Sequence, residues 1–171
     1  MERNRSLEEE WGRTIKAAMA VINFLDLCEA LEPEERLIGL DPGARTIGVA
    51  LSDVRLRVAS PYGSITRGKM SGIVQQLSRI IIDEGVGGLV IGLPLGPEGQ
   101  MGRAAQAARD WAWSISDALA LPAALWDETL TTAEVHEVLV GEMDMSRKRR
   151  AAVVDRMAAA RILQSALDQR P

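Results

Sequence analysis

Between Leu37 and Asp53 the chain reads LIGLDPGARTIGVALSD, and no other stretch constrains the fold as much. A short apolar run, Leu37-Ile38-Gly39-Leu40, ends on an acid, Asp41. Pro42 and Gly43 break the strand, and a second β-like run, Thr46 to Leu51, follows at once. The pattern predicts a hairpin with a carboxylate at the end of its first strand. Apolar burial gives an acid no reason to be there. It either caps a turn or binds something, such as a metal or a phosphate-bound metal.

The remaining residues supply the elements such a hairpin pairs with. Leu7, Trp11, Ile15, Ala18, Ile22 and Leu25 recur at helical steps, predicting one helix or two short ones within residues 7–31. Ser6 and Glu9 resemble a capping box, and Pro33 ends the segment. A third β-like stretch, Arg57 to Ile65, is interrupted by Pro61 and Gly63. A helix is predicted over 69–84, stopped by Gly85, and a buried strand over Gly88 to Leu93. A Gly/Pro-rich loop from Pro94 to Gly102 leads to an Ala-rich helix over 103–119 and a strand from Pro122 to Trp126. Thr131 or Thr132 would cap a helix to about Leu139, Gly141 to Met145 would break it, and a last helix covers about 148–168. Three strands in a meander followed by βα units predict an α/β fold, with helices on the faces of a mixed five-stranded sheet. The 171 residues suit a helical extension over 1–35 and one domain over 36–171.

Composition narrows the setting. The net charge of −4 arises within residues 1–36, which carry nine acids and five bases; the rest balances at fifteen each, leaving room for a local basic face. The charged N-terminus carries no secretory signal, and no run approaches the roughly 18 apolar residues of a membrane span. Cys28 is the only cysteine, so no intramolecular disulfide forms and a reducing cytoplasm is expected.

Three acidic positions stand out: Asp41, Glu128 with Asp127 beside it just past the last strand, and Asp155 in the final helix. Each has a plainer reading alone. Asp41 is a turn acid, Asp127-Glu128 favour a helix N-terminus, and Asp155 pairs with Arg156 or Arg161. Asp155 also heads a stripe of Ala158, Ala159 and Ile162, small enough on its near side to let the helix lie close to the sheet. Strand ends gather at one edge of a sheet, and carboxylates brought together there repel unless a cation lies between them. Oxygen-only ligands suit Mg²⁺ or Mn²⁺, ions that serve phosphodiester hydrolysis.

Four blocks carry a resemblance to a known family: residues 37–53, LVIGLPLGPEGQMGRAAQAARDWA at 89–112, WDETLTT at 126–132 and VVDRMAAARILQSALD at 153–168. In order and spacing they resemble the YqgF/RuvX family of pre-16S rRNA nucleases. These share the RNase H-like fold with Holliday-junction resolvases. The resemblance covers about Leu37 to Asp168. It implies a divalent-metal nuclease site with Asp41, Glu128 and Asp155 as catalytic groups and Asp41, Asp127, Glu128 and Asp155 as metal ligands. It implies RNA, specifically pre-rRNA, as the partner, with structured DNA as an alternative, in a monomer or homodimer away from membranes. Arg45 stands where the family usually shows a basic pair, its neighbour here being Thr46. Thr129 stands where an Arg commonly follows the acids. The resolvases take an acid from the end of the fourth strand, where this chain has Gly92-Leu93-Pro94.

Arg103 and Arg109 follow the Gly/Pro-rich loop and could meet phosphates. Arg147, Lys148, Arg149 and Arg150 form the densest basic patch. Their charge opposes the helix dipole, which favours a nucleic-acid contact over a merely solvated helix start. Gly63 to Met70 nearly spells a P-loop but has Met70 where Mg²⁺ would need a hydroxyl, and the lone His136 lacks a zinc partner. A Holliday-junction DNA endonuclease and a non-catalytic RNA-binding or assembly module are the alternatives to an RNA nuclease. An ATP-binding protein of the actin and sugar-kinase type would need a second lobe, for which this length leaves no room.

Overall fold

The hairpin forms where the sequence places it. In a computed structural model describing residues 21–129 and 147–171, β1 (Arg36–Pro42) and β2 (Thr46–Ser52) pair antiparallel, with Asp41 opposite Gly48. β3 (Ala59–Thr66) extends the meander antiparallel to β2. Helix α2 (Met70–Glu84) then returns the chain to β4 (Val86–Leu93), which lies parallel to β1. Helix α3 (Arg103–Leu119) leads to β5 (Ala123–Asp127), parallel to β4, and the long helix α4 (Arg147–Leu167) completes the described chain. The strand order is β3-β2-β1-β4-β5, the mixed five-stranded sheet that was expected.

Alternation along the strands divides the core in two. Ile38, Leu40, Ile47, Val49, Leu89 and Ile91 point to one face, where they meet Ile73 and Leu77 of α2 and Trp111 and Ile115 of α3. Leu37, Ala50, Val90 and Ala124 point to the other, against Ala159, Ile162, Leu163 and Ala166 of α4. Glycines lie on this second face where α4 crosses the sheet. A Cβ at Gly39 would come within 2.8 Å of the Leu163 Cβ, and one at Gly48 would collide with the main chain of Asp155. The helix therefore packs backbone to backbone over β1 and β2. Side-chain bonds pin it further along: Gln164 accepts from the Ala59 N–H (2.8 Å) and donates to the Arg57 carbonyl (2.9 Å), and Trp126 Nε1 donates to Ser165 Oγ (3.1 Å).

Three expectations shift. The buried strand expected from Gly88 begins two residues earlier, at Val86. The third strand starts at Ala59 instead of Arg57, because the Asp53 carboxylate accepts the N–H groups of Arg57 (2.7 Å) and Val58 (2.9 Å) and folds them into a turn. The helix expected within 7–31 is described only from residue 21. There the short helix α1 (Phe24–Glu29) begins at Asn23, whose side chain accepts the Asp26 N–H at 2.9 Å. Just before it, Val21 bridges Ala123 of β5 and the Ile22 N–H donates to the Ala123 carbonyl at 2.8 Å. Phe24 meets Trp126 edge to face at 5.5 Å, so this part of the segment assigned to the extension is built onto the β5 side of the sheet. The earlier part of that helix, the Thr131/Thr132 cap with its helix, and the break at 141–145 lie outside the described residues.

Candidate active site

The α4 face of the sheet carries the acids. Asp41 has the same strand parity as Leu37 and Gly39, so its side chain points towards α4. Glu128 follows β5 by one residue and continues the parity of Ala124 and Trp126, while its own N–H donates to the Leu93 carbonyl of β4 at 3.2 Å. Asp155 comes down from α4 where the helix main chain presses on Gly48. Three residues remote in sequence are thus brought to one place.

Their proximity shapes their electrostatics. Burial and the Asp155 charge push the Asp41 carboxyl up to about 6, although a hydrogen bond with Glu128 opposes the rise. Burial, the Asp41 charge and the same bond push Glu128 up to about 8, with a smaller contribution from Asp127. The physical picture is a carboxylic acid, Glu128, donating its proton to a carboxylate, Asp41, because two bare charges so close cannot both be sustained. Asp155 accepts a hydrogen bond from the Thr46 hydroxyl of β2.

A divalent cation is the group this chemistry calls for. Among the described residues no group of three His, Cys, Asp or Glu side chains is already arranged to hold a metal ion. The donors nevertheless fit a hard ion: they are all oxygens, and the groups that set the proton affinity of Asp41 include no base. A cation in place of the shared proton would relieve the repulsion that raises both acids. Asp41, Glu128 and Asp155 are the side chains available to hold it.

The other predicted residues are more scattered. Asp127 is exposed, and its carboxylate accepts the N–H (2.9 Å) and hydroxyl (2.8 Å) of Thr129, bracing the turn behind Glu128. Arg45 is exposed in the hairpin turn next to Asp41's strand end. Arg103 is exposed on the first turn of α3, and Arg109 is exposed further along it, paired with Asp110 at 3.3 Å. Arg147, Arg149 and Arg150 are exposed on the first turn of α4, about two helical turns ahead of Asp155. The stretch resembling a P-loop is no phosphate loop: Gly63 to Thr66 pair in β3.

Four contributors escaped the sequence reading. Thr46 was visible only as the absence of a base. Gly48 admits α4. Gly92 matters for its missing side chain, because a Cβ there would collide with the Glu128 carboxyl. The fourth strand carries no acid at its end because the space is taken by one arriving from beyond β5. Arg67 donates to the Gly43 carbonyl at 2.6 Å and fastens the turn after Asp41. Alternating strand parity is the one signal that could have placed Thr46, Gly48 and Gly92 beside Asp41.

Residues 35–169 match the family model described as RuvX: Holliday junction resolvase. A protein of Gluconacetobacter diazotrophicus named "Putative pre-16S rRNA nuclease" is 52% identical over 150 residues, covering 88% of this chain and 97% of that protein. Proteins with the same name from Gluconobacter oxydans (48% over 150 residues; 88% and 94% covered) and Rhodospirillum rubrum (48% over 157 residues; 90% and 98% covered) are similarly related. Among solved structures, Thermus thermophilus RuvC in complex with a Holliday junction substrate aligns with 78% of this chain and 93% of its own, at 13% identity and a TM-score of 0.46. On the family match across residues 35–169 and the sequence relatives, the chain belongs to the RuvX family.

Proposed function

We propose that this protein is a divalent-cation-dependent nuclease that hydrolyses RNA phosphodiesters, and that its substrate is the 5′ region of pre-16S rRNA during ribosome assembly in the cytoplasm. The convergence of Asp41, Glu128 and Asp155 on one face of the sheet carries the reading. Relatives that match nearly their whole length to this chain and bear the name of pre-16S rRNA nucleases support the choice of substrate.

In this reading Asp41 and Asp155 hold Mg²⁺ or Mn²⁺, and Glu128 holds the ion or orients the attacking water. Asp127, braced by Thr129, sits beside them as a further carboxylate. When bound, the ion supplies charge stabilisation at the phosphoryl group and lowers the pKa of water. The protein contributes position: Gly92 leaves room for Glu128, Gly48 lets α4 bring Asp155 down, and Arg67 secures the turn behind Asp41. Arg45, Arg103 and the basic first turn of α4 are the candidate phosphate contacts, Arg147, Lys148, Arg149 and Arg150 making the largest group.

The test is cleavage of a 5′-extended 16S precursor in Mg²⁺ and in EDTA, by wild type and by Asp41→Asn. Cleavage confined to wild type in Mg²⁺ is the expected result, with the circular dichroism of the variant unchanged. Equal cleavage in EDTA would overturn the reading. The description of the matching family favours a second reading, resolution of a branched DNA junction. A four-way DNA junction assayed beside the RNA separates the two. Cation and RNA binding without cleavage of either substrate would mark a binding module.

A further inference from the structure

Asp155 differs from Asp41 and Glu128 in how it reaches the cluster. Asp41 is within a strand and Glu128 hangs from the end of one, whereas Asp155 is carried by a helix. Two things must be fixed before its carboxylate can face Asp41: the seat of α4 and the rotamer of the side chain. Gly48 fixes the first, since the Asp155 main chain rests where a Cβ would be. The second has an adversary, because Asp155 and Asp41 are near enough to feel each other's charge. Left alone, the Asp155 carboxylate would swing towards water.

Thr46 opposes that swing. It lies two residues before Gly48 on β2, with the same parity and therefore on the same face as Asp155. Its hydroxyl donates to Oδ2 of Asp155. One carboxylate oxygen is engaged, and among the described residues no hydrogen bond is made to Oδ1, the atom that would face a further ligand. A hydroxyl suits this position because it restrains the carboxylate without a positive charge that would compete with a cation.

We propose that Thr46 is a positioning residue, holding the Asp155 carboxylate towards Asp41 so that the acids can share a divalent cation. This rests on the reading of the three acids as a cation site. Second-layer hydrogen bonds of this kind set ligand orientation, and their loss typically weakens metal binding by about 10- to 100-fold. The role belongs to the hydroxyl, so serine retains it and valine does not.

Calorimetric titration of nucleic-acid-free protein with Mn²⁺ tests the idea on wild type, Thr46→Val, Thr46→Ser and Asp155→Asn, each with a metal-free melting curve. Valine favours strands, so Thr46→Val should fold; Thr46→Ala is the substitute if it does not. The expected result is wild-type affinity in Thr46→Ser and a loss of about 10-fold or more in Thr46→Val, with Asp155→Asn also weakened. Wild-type affinity in Thr46→Val with a weakened Asp155→Asn overturns the role of Thr46 and leaves the cation site standing. Equal weakening in the valine and serine variants overturns the hydroxyl as its cause. Equal binding by wild type and Asp155→Asn, or no binding by wild type, overturns the site itself and the role of Thr46 with it.

Discussion

The two faces of the sheet are made from the same strands and obey different rules. Towards α2 and α3 the strands present Ile38, Leu40, Ile47, Val49, Leu89 and Ile91, all large and fully buried. Towards α4 the strands still bury Leu37 and Val90, but the intervening positions around the acids are Gly39, Asp41, Thr46, Gly48, Ala50 and Gly92, small or polar. One face accumulates apolar area and so supplies cohesion. The other gives up side-chain volume to bring a helix backbone near, and it carries the electrostatic strain of crowded acids. Alternate residues of one strand thus serve opposite ends: stability requires bulk on one side, and the proposed chemistry requires room on the other.

Substitutions on either side should break this symmetry in opposite directions. The largest effect is expected for Asp41→Asn, which should abolish nuclease activity, a loss of several kcal/mol of transition-state stabilisation. A metal-free melting curve should find it no less stable than wild type. Next is Leu40→Ala on the opposite face. It should cost about 2–5 kcal/mol in urea unfolding while sparing the activity of the folded fraction. Full activity in Asp41→Asn, or undiminished stability in Leu40→Ala, would erase the division.

Gly48→Ala should come third, at about 1–3 kcal/mol, because the added methyl meets main chain that cannot rotate away. Unlike Leu40→Ala it should also lower activity per folded molecule, since α4 carries Asp155. The response to pH sharpens the contrast further. Asp41 is raised from the ordinary 3.8 to about 6 and Glu128 from 4.5 to about 8. The folded state therefore holds these protons more tightly than the unfolded state does. Their contribution to stability is complete below the unfolded values and is lost as pH rises through about 6 and then about 8. Metal-free wild type should melt at a higher temperature at pH 5 than at pH 9, with the difference reduced in Glu128→Gln and in saturating Mg²⁺. The smallest effect is expected for Arg67→Ala, about 0.5–1.5 kcal/mol for a lost bond to the hairpin turn.

The sequence displayed its elements well where they are locally encoded. Pro42-Gly43 marks the first turn, Gly85 ends α2 at a φ of 65°, and the apolar run before Pro94 is β4. Helices α2, α3 and α4 fall within a residue of their expected ends. The third strand was misplaced by two residues because Asp53, whose carboxylate reorganises the turn, acts through hydrogen bonds that no periodicity records. The acids of the site were conspicuous, being charges at or just past strand ends and at the head of a small apolar helix stripe. Their supports were not, because glycine and threonine at alternate strand positions are unremarkable until α4 is known to cross there. Gly92 was noticed for an acid it lacks, and its meaning emerges only when Glu128 fills the space.

The chain order of these parts bears on when the enzyme can act. Asp41 is near the start of the sheet, Glu128 follows its last strand, and Asp155 arrives on a helix that every strand precedes. During synthesis the ribosome would release the first acid long before the third. Until α4 settles on Gly39 and Gly48, the proposed site lacks a carboxylate and the glycine face stands uncovered. On the proposed site, a nuclease assembled this way would be inert as a growing chain, beside the ribosomal RNA that its relatives are named for cutting.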